Sequence, residues 1–320
     1  MPAVSVVTPA WNAAAYIGET IASVRAQTFA DWELLIVDDG STDGTVQIVE
    51  RAVAEDGRIR LLHQSHAGPS AARSLAMSQA RGGFFAFLDS DDTWDPGFLQ
   101  AQLAVFASHP RTALVTGNGY FFGGPFDGHP VGPAGDDSYE LPITQIVEDE
   151  RVIFIMTVFR REVFETIGGM DESQWTSEDY DFWLRAALAG FVFRKNPRPL
   201  GRYRVRGDSL SRDRVRMIGG ILHTLSKTLG RCPAGAPLRE VIERQIRRWE
   251  RQLLLEEAKA ALERSDVAAA AGPLRALHAS GGGAMVGLTA WLAEHLPPAA
   301  MLVYRARSWR PAWLRSGHAA

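Results

Sequence analysis

The stretch Phe84-Phe85-Ala86-Phe87-Leu88-Asp89-Ser90-Asp91-Asp92 is an apolar run of strand length that ends in three carboxylates within four residues. Like charges this close repel one another, and stripping them of water is expensive. A cation, or the hydroxyls of a bound ligand, would relieve that cost. The carboxyl end of a buried strand is also where open α/β sheets bind ligands. A solvated acidic loop capping the next helix is the other reading, and the run by itself supports both.

Outward from this strand, residues 4–110 alternate short β-rich runs with helical stretches. Val4-Ser5-Val6-Val7-Thr8 reads as the first strand, after which Ile17, Ile21 and Val24 recur at helical spacing. Leu34-Leu35-Ile36-Val37 is continuously apolar, as a buried parallel strand should be, and leads into the turn Asp38-Asp39-Gly40-Ser41-Thr42-Asp43-Gly44. Val46, Val49 and Val53 mark the next helix, residues 59–63 a third strand, and Gly68-Pro69-Ser70 opens a third helix with proline in its first turn. A fourth helix is expected from Pro96. This rhythm predicts a mainly parallel sheet with helices on both faces.

Residues 111–175 are richer in Gly and Pro, with strands expected at 113–116 and 153–159 and a long loop at 123–137 suited to a substrate wall. From Glu178 a helix places Phe182, Ala186 and Ala189 on one face and stops at Gly190. Residues 191–193 and 201–205 read as two short strands. Beyond about residue 213 the pattern is helical, with a hairpin whose turn at Ser265-Asp266 supplies a cap. The domains expected are 1–210, an α/β unit, and 211–320, a helical extension.

Composition narrows the function. A net charge of −3 does not suggest nucleic acid as a partner. One cysteine, Cys232, excludes an internal disulfide and a cysteine-rich metal site. The N-terminus leads straight into a strand-like run without a secretory pattern, and no stretch has the length of a membrane span, so a cytoplasmic protein is expected.

Acidic residues follow two of the expected strands: Asp38 and Asp39 after the second, Asp89, Asp91 and Asp92 after the fourth. If the strand order reverses beside a central first strand, both groups converge with the loop Pro9-Ala10-Trp11-Asn12 on one crevice. Trp11 either stacks on a base or packs on the helix that follows. Asp39 either accepts from a base N–H or stabilises its turn. Arg73, in the third helix, could reach a phosphate or pair with Asp39. A second acidic segment, Glu178-Asp179-Tyr180-Asp181-Phe182-Trp183-Leu184-Arg185, follows Gly168-Gly169-Met170-Asp171-Glu172. Acids are favourable at helix N-termini, and a carboxylate placed there can also serve as a general base.

Together these residues resemble the inverting glycosyltransferases of family two, nucleotide-diphospho-sugar transferases with the A-type glycosyltransferase fold. The resemblance covers about residues 3–210 and rests on five motifs in order: residues 4–12, the base loop Val37-Asp38-Asp39-Gly40-Ser41-Thr42-Asp43-Gly44-Thr45, Gly68-Pro69-Ser70-Ala71-Ala72-Arg73, Asp89-Ser90-Asp91-Asp92, and Glu178-Asp179 with Trp183 and Arg185. It implies a Rossmann-like, mainly parallel mixed sheet, and it implies roles. Pro9, Ala10, Trp11, Asn12, Asp38, Asp39, Arg73, Asp89 and Ser90 would bind the nucleotide sugar. Asp91 and Asp92 would hold Mg²⁺ or Mn²⁺, for which oxygen ligands are suited. Asp179 would be the catalytic base, with Glu178, Trp183 and Arg206 contacting diphosphate or acceptor.

The implied reaction moves a hexosyl or N-acetylhexosaminyl group from a nucleoside diphosphate donor, a UDP-sugar being expected, to a hydroxyl of a saccharide or lipid-linked saccharide, in polysaccharide or cell-envelope glycan synthesis. A non-catalytic sugar-nucleotide-binding scaffold is the alternative. One departure stands out: the family often carries a metal-binding histidine in a Tyr-Arg-x-His-like segment, and Tyr203-Arg204-Val205-Arg206 has an arginine there. Guanidinium does not ligate metals at physiological pH. A nicotinamide enzyme is disfavoured because no Gly-x-Gly-x-x-Gly turn follows the first strand. Residues 299–315 combine four arginines with tryptophans and no acid, which reads either as a peripheral contact with the inner face of the plasma membrane or as a terminal helix packed on its domain.

Overall fold

The computed structural model describes residues 1–206 and 213–305. The chain divides into two compact units, Met1–Ser209 and Leu210–Ala320. The expected boundary at 210/211 lies outside the described residues.

The first unit begins β1 (Val4–Ala10), α1 (Ile17–Arg25), β2 (Trp32–Asp38), α2 (Thr45–Glu55), β3 (Ile59–His63), α3 (Pro69–Gln79) and β4 (Phe84–Phe87). It continues β5 (Thr93–Trp94), α4 (Phe98–Ser108), β6 (Thr112–Phe122), β7 (Tyr139–Leu141), α5 (Ile143–Glu148), β8 (Thr157–Arg160), α6 (Arg161–Ile167), α7 (Glu178–Leu188) and β9 (Val192–Arg204). Among the described residues these strands form one sheet in the order β3-β2-β1-β4-β8-β6-β9-β5, with β7 also on β9. β1 lies between β2 and β4, parallel to both. The order therefore reverses at β1, and the carboxyl ends of β1, β2 and β4 open on one crevice.

The strands are buried because their sequences are apolar on both faces. β2 is buried along its whole length, and Val4, Val6, Leu34, Ile36 and Ala86 join Ile17, Ile21 and Val24 of α1 in the core. The second half of the sheet is mixed: β8 runs antiparallel between β4 and β6, whereas β6 and β9 are parallel.

Three differences from the sequence reading have local causes. The strand expected at 153–159 is only β8, because the Phe154 N–H donates to the Thr116 hydroxyl at 2.8 Å instead of to a ladder. The two short strands expected near the end of this unit are one, β9, which runs through Pro197 and Pro199. Proline supplies no donor there, and the Asn118 side-chain amide donates to the Pro197 carbonyl at 3.0 Å. The acidic run after β4 does not cap the next helix, since α4 has Gly97 at its N-cap and no side-chain cap.

The second unit comprises α8 (Arg214–Arg231), α9 (Pro237–Glu263), α10 (Val267–Ala279), α11 (Ala284–His295) and α12 (Pro297–Arg305). Asp266 caps α10 by accepting from the Ala269 N–H at 3.0 Å, as the sequence suggested. Leu255, Ala258, Leu262, Leu274, Leu277, Val286 and Ala290 form its core. Of the tail segment, Arg307, Trp309, Arg310, Trp313, Leu314 and Arg315 lie outside the described residues.

Candidate active site

The loops after β1 and β2 are sewn together by short polar side chains. Asn12, in the left-handed region at φ 48°, accepts from the Thr42 N–H at 2.8 Å, and its own N–H donates to the Ser41 hydroxyl at 2.9 Å. Asp43 accepts from the Ala14 N–H at 3.1 Å and the Thr45 N–H at 2.9 Å. Asp38 accepts from the Ser41 N–H at 3.2 Å, the local turn chemistry available to aspartate. The Asp39 carboxylate is buried and organises the approach to α3. It accepts from the N–H groups of Ala67 and Gly68 at 2.8 and 2.9 Å and from the Gln64 amide at 2.7 Å. His66 Nδ1 lies 3.0 Å from the same carboxylate. Trp11 is half exposed and stacks on the His66 ring at 4.7 Å, and Trp175 meets His66 edge-on at 5.6 Å.

Arg73 is buried beneath this loop, where its guanidinium bridges two strand and helix ends. It donates to Glu178 Oε1 at 2.7 Å and to Asp89 Oδ1 at 2.5 Å. Burial opposes its charge, but Asp89 and Glu178 more than compensate and hold it firmly protonated. Glu178 and Asp179 open α7 after Ser177, itself left-handed at φ 57°. Asp179 Oδ1 accepts from the Tyr180 N–H at 2.8 Å. Burial first, then the neighbouring Glu178 charge, push the Asp179 carboxyl up to about 7, against the pull of Arg73. A carboxylate of that strength is poised to accept a proton near neutral pH.

The remaining acids face the end of β9. Asp91 Oδ2 accepts from Arg206 Nη1 at 3.0 Å, and the Asp91 carbonyl accepts from Arg204 Nε at 2.8 Å. Burial and Asp89 raise the Asp91 carboxyl, and Arg206 opposes the rise. Asp92 is turned inward: Oδ1 accepts from the Arg204 N–H at 2.8 Å, while Oδ2 is buried without a hydrogen-bond partner. Burial, then Asp91 and Asp89, lift it well above the carboxylate range.

Residues 5–168 match the sequence profile of glycosyl transferase family 2. The chain belongs to glycosyl transferase family 2. It is 43% identical over 117 residues to UDP-Glc:alpha-D-GlcNAc-diphosphoundecaprenol beta-1,3-glucosyltransferase WfgD of Escherichia coli, a stretch covering 36% of this chain and 45% of that protein. The chain spans about half the length of the relatives it matches first by sequence. In structure it resembles S. aureus TarS 1-349, solved in complex with UDP-GlcNAc, at a TM-score of 0.65 and 18% identity over 95% of this chain and 92% of that one. It also resembles the mannosyltransferase PcManGT from Pyrobaculum calidifontis, solved with GDP-Man and Mn²⁺, at 0.63 and 19% identity over 98% and 83%. These likenesses establish the A-type fold. The family match ends before α7, and the Arg73 bridge ties Glu178, with Asp179 next in sequence, to Asp89.

Against this family frame, several sequence assignments move. Arg73 pairs with Asp89 and Glu178, not with Asp39, whose carboxylate is occupied by the 64–68 loop. Trp11 packs on His66, not on the helix that follows it. Trp183 is no diphosphate or acceptor contact: it is 1% exposed, among Phe87, Phe159 and Phe182. Asp92 does not share the accessible side of Asp91: it is buried, with one carboxylate oxygen accepting from the β9 backbone. Gln64, His66 and Trp175 were not found by sequence reading; an isolated histidine or amide in a turn gives no periodic or spacing signal.

Among the described residues, no group of three or more His, Cys, Asp or Glu side chains could hold a metal ion. Of the two acids that the sequence reading set against a metal, Asp91 is the more accessible and Asp92 is buried. A hard cation that keeps several waters and takes its other ligands from substrate phosphates would fit such a site, since Mg²⁺ often has only one or two carboxylates as its protein ligands.

Proposed function

We propose that this chain is an inverting glycosyltransferase that moves a sugar from a nucleoside diphosphate donor, of the UDP type, to a hydroxyl of a saccharide or lipid-linked saccharide acceptor. The observation that carries this reading is the continuous chain Asp89–Arg73–Glu178 with Asp179 beside it, which joins the nucleotide crevice at the end of β4 to a carboxylate raised to about 7. Cell-envelope or polysaccharide glycan synthesis is the setting this reading proposes, and the name of the Escherichia coli relative, with its diphosphoundecaprenol-linked acceptor, supports a lipid-linked saccharide as the acceptor. Residues 1–210 would carry the reaction, with 211–320 as a helical extension.

The chemistry follows from the residues. Trp11, beside His66, offers a stacking face for the base at the rim of the crevice, and the amides of the 39–44 turn and Asp89 flank the ribose. Arg206 and Arg204 bring positive charge to the side where the diphosphate would lie. A divalent ion, Mg²⁺ or Mn²⁺ held by Asp91, would stabilise charge on the departing diphosphate. Asp179 accepts the acceptor hydroxyl proton as the oxygen attacks the anomeric carbon from the face opposite the diphosphate, so one displacement inverts that centre. Arg73 holds Glu178 in place, and the Glu178 charge beside it helps to raise the Asp179 carboxyl.

A donor-hydrolysis and transfer assay with UDP-glucose and UDP-N-acetylglucosamine, run with Mn²⁺ and beside calorimetric UDP binding, tests the reading. Turnover that is lost in Asp179→Asn while UDP still binds supports it. UDP binding with no turnover of any nucleotide sugar in the wild-type chain would instead favour the scaffold alternative.

A further inference from the structure

Asp179 stands second in α7, and the segment that leads into α7 is docked on a single face of α3. Ser70, Arg73 and Ser74 lie three and four residues apart in α3 and so share that face. Ser74 Oγ accepts from the Met170 N–H at 3.0 Å, Ser70 Oγ donates to the Gln174 carbonyl at 2.7 Å, and Arg73 reaches Glu178 at 2.7 Å. The segment is thus held at every fourth residue: 170, 174 and 178. Gly169 permits the close approach, since a Cβ there would stand 2.7 Å from Ser74 Oγ. The start of α3 is itself fixed by Asp39, which accepts from the Ala67 and Gly68 N–H groups.

The step from α3 to α7 turns on Gln174. Its side chain is buried, and Nε2 donates to the carbonyls of Thr176 and Ser177 at 3.0 Å each. Ser177 is left-handed at φ 57° and gives α7 no side-chain cap. A non-glycine residue persists in that conformation where its surroundings enforce it, and an amide closing on two successive carbonyls does so. We propose that Gln174 is a positioning residue for Asp179: its amide sets the turn from which α7 starts, and Ser70 holds that turn on α3. The inference rests on the transferase reading with Asp179 as base. The competing account is a brace that supports the fold and nothing more. The two differ in what a loosened turn does. Displacing a reacting group by about 1 Å can cost about a hundredfold in rate, and Asp39 and Asp89 stay in place. Water reaching Asp179 would also lower a carboxyl that burial, before any other cause, holds at about 7.

The test is hydrolysis of UDP-glucose and UDP-N-acetylglucosamine by the full chain, water taking the place of the acceptor, across pH and beside calorimetric UDP binding with Mn²⁺. Gln174→Met keeps the length of the side chain and removes its donors. It should lower kcat about tenfold or more, move the rising limb of kcat/KM to lower pH, and leave UDP affinity near that of wild type. Ser70→Ala removes only the hold of α3 on the turn. It should lower kcat several-fold with the limb moved the same way, and it keeps the test decisive should the methionine variant fail to fold. A Gln174→Met protein that melts earlier but keeps the wild-type kcat and limb overturns the inference, because Gln174 is then a brace. Parallel loss of UDP binding and turnover also overturns it, because Gln174 then belongs to the donor site. The Asp179→Asn control separates the two levels. Where that variant is inactive and Gln174→Met is fully active, the inference alone fails. Where it turns over like wild type, or wild type hydrolyses neither donor, the transferase reading fails and takes the inference with it.

Discussion

Arg206 donates from Nη1 to Oδ2 of Asp91 at 3.0 Å, so the more accessible member of the Asp91–Asp92 pair already holds a cation supplied by the protein. The same guanidinium lies 4.9 Å over the Tyr16 ring, which fixes its direction. A metal bound at Asp91 must displace or share this partner. Arg206→Ala is therefore expected to bind Mn²⁺ more tightly, because Asp91 is freed, and to bind UDP more weakly in the presence of a chelator, because the diphosphate loses a charge-assisted partner. Paired calorimetric titrations of UDP with and without Mn²⁺ check both signs. Unchanged UDP affinity in chelator would remove Arg206 from the diphosphate site.

The pH dependence of turnover should report Asp179. Its carboxyl is pushed up to about 7 by burial and Glu178, so the basic, active form grows as pH rises through that value. The free-enzyme kcat/KM is expected to climb with pH and level off above about 7. Asp179→Asn should abolish that limb and cost about a hundredfold or more in turnover. Stability moves the other way. A carboxyl whose folded pKa is raised favours the protonated state, so the native protein loses stability as pH rises from the unfolded value, about 3.9, toward 7. Asp179→Asn is thus expected to raise the melting temperature at pH 8 more than at pH 5, since asparagine can still accept from the Tyr180 N–H through its side-chain oxygen.

Arg73 is the structural keystone of the same cluster. Its loss would leave Asp89 and Glu178 side by side without a counter-charge, and breaking a buried pair from one side costs about 3–5 kcal/mol. Arg73→Met should lower unfolding free energy in urea by about 3 kcal/mol or more. Arg73→Lys should recover part of that loss but not the double bridge, because an ammonium is a point donor and the guanidinium a fork. A methionine variant as stable as wild type would mean that the two acids are relieved by solvent.

The turns that build the crevice were legible in the sequence from their residue types, but the bonds that join the two loops were not. Asn12, Ser41, Asp43 and Thr45 bond to backbone groups of the two adjoining loops, and the turns follow from residue type. The reversal of strand order at β1 entered the sequence reading only as a condition, which the strand order meets. The failures are tertiary. α7 buries Tyr180, Phe182, Trp183 and Leu184 together, so periodicity offers no exposed face on which to set Trp183. Arg73 could not be paired from sequence because Asp89 and Glu178 reach it from separate elements, and Asp92 differs from Asp91 only in which way the turn points it. β9 was split by its prolines, and the Pro197 carbonyl is held by the side-chain amide of Asn118, a residue far away in sequence.

Trp11 gives a last test that separates binding from packing. Its ring is 52% exposed and lies on His66 at 4.7 Å, with Trp175 on the other flank of the histidine. A ring that only braces the loop contributes to stability and not to nucleotide affinity; a ring that stacks on the base does the reverse. Base–aromatic stacking is worth about 1–3 kcal/mol per base, so Trp11→Ala should weaken UDP binding about tenfold or more while the melting temperature stays near that of wild type, half of the side chain being in water already. His66→Ala, which removes the support under Trp11 and the contact to the Asp39 carboxylate, should weaken UDP binding less and stability more. If Trp11→Ala binds UDP as well as wild type and melts several degrees earlier, the ring is a brace, and the nucleoside must be held by the 39–44 turn alone.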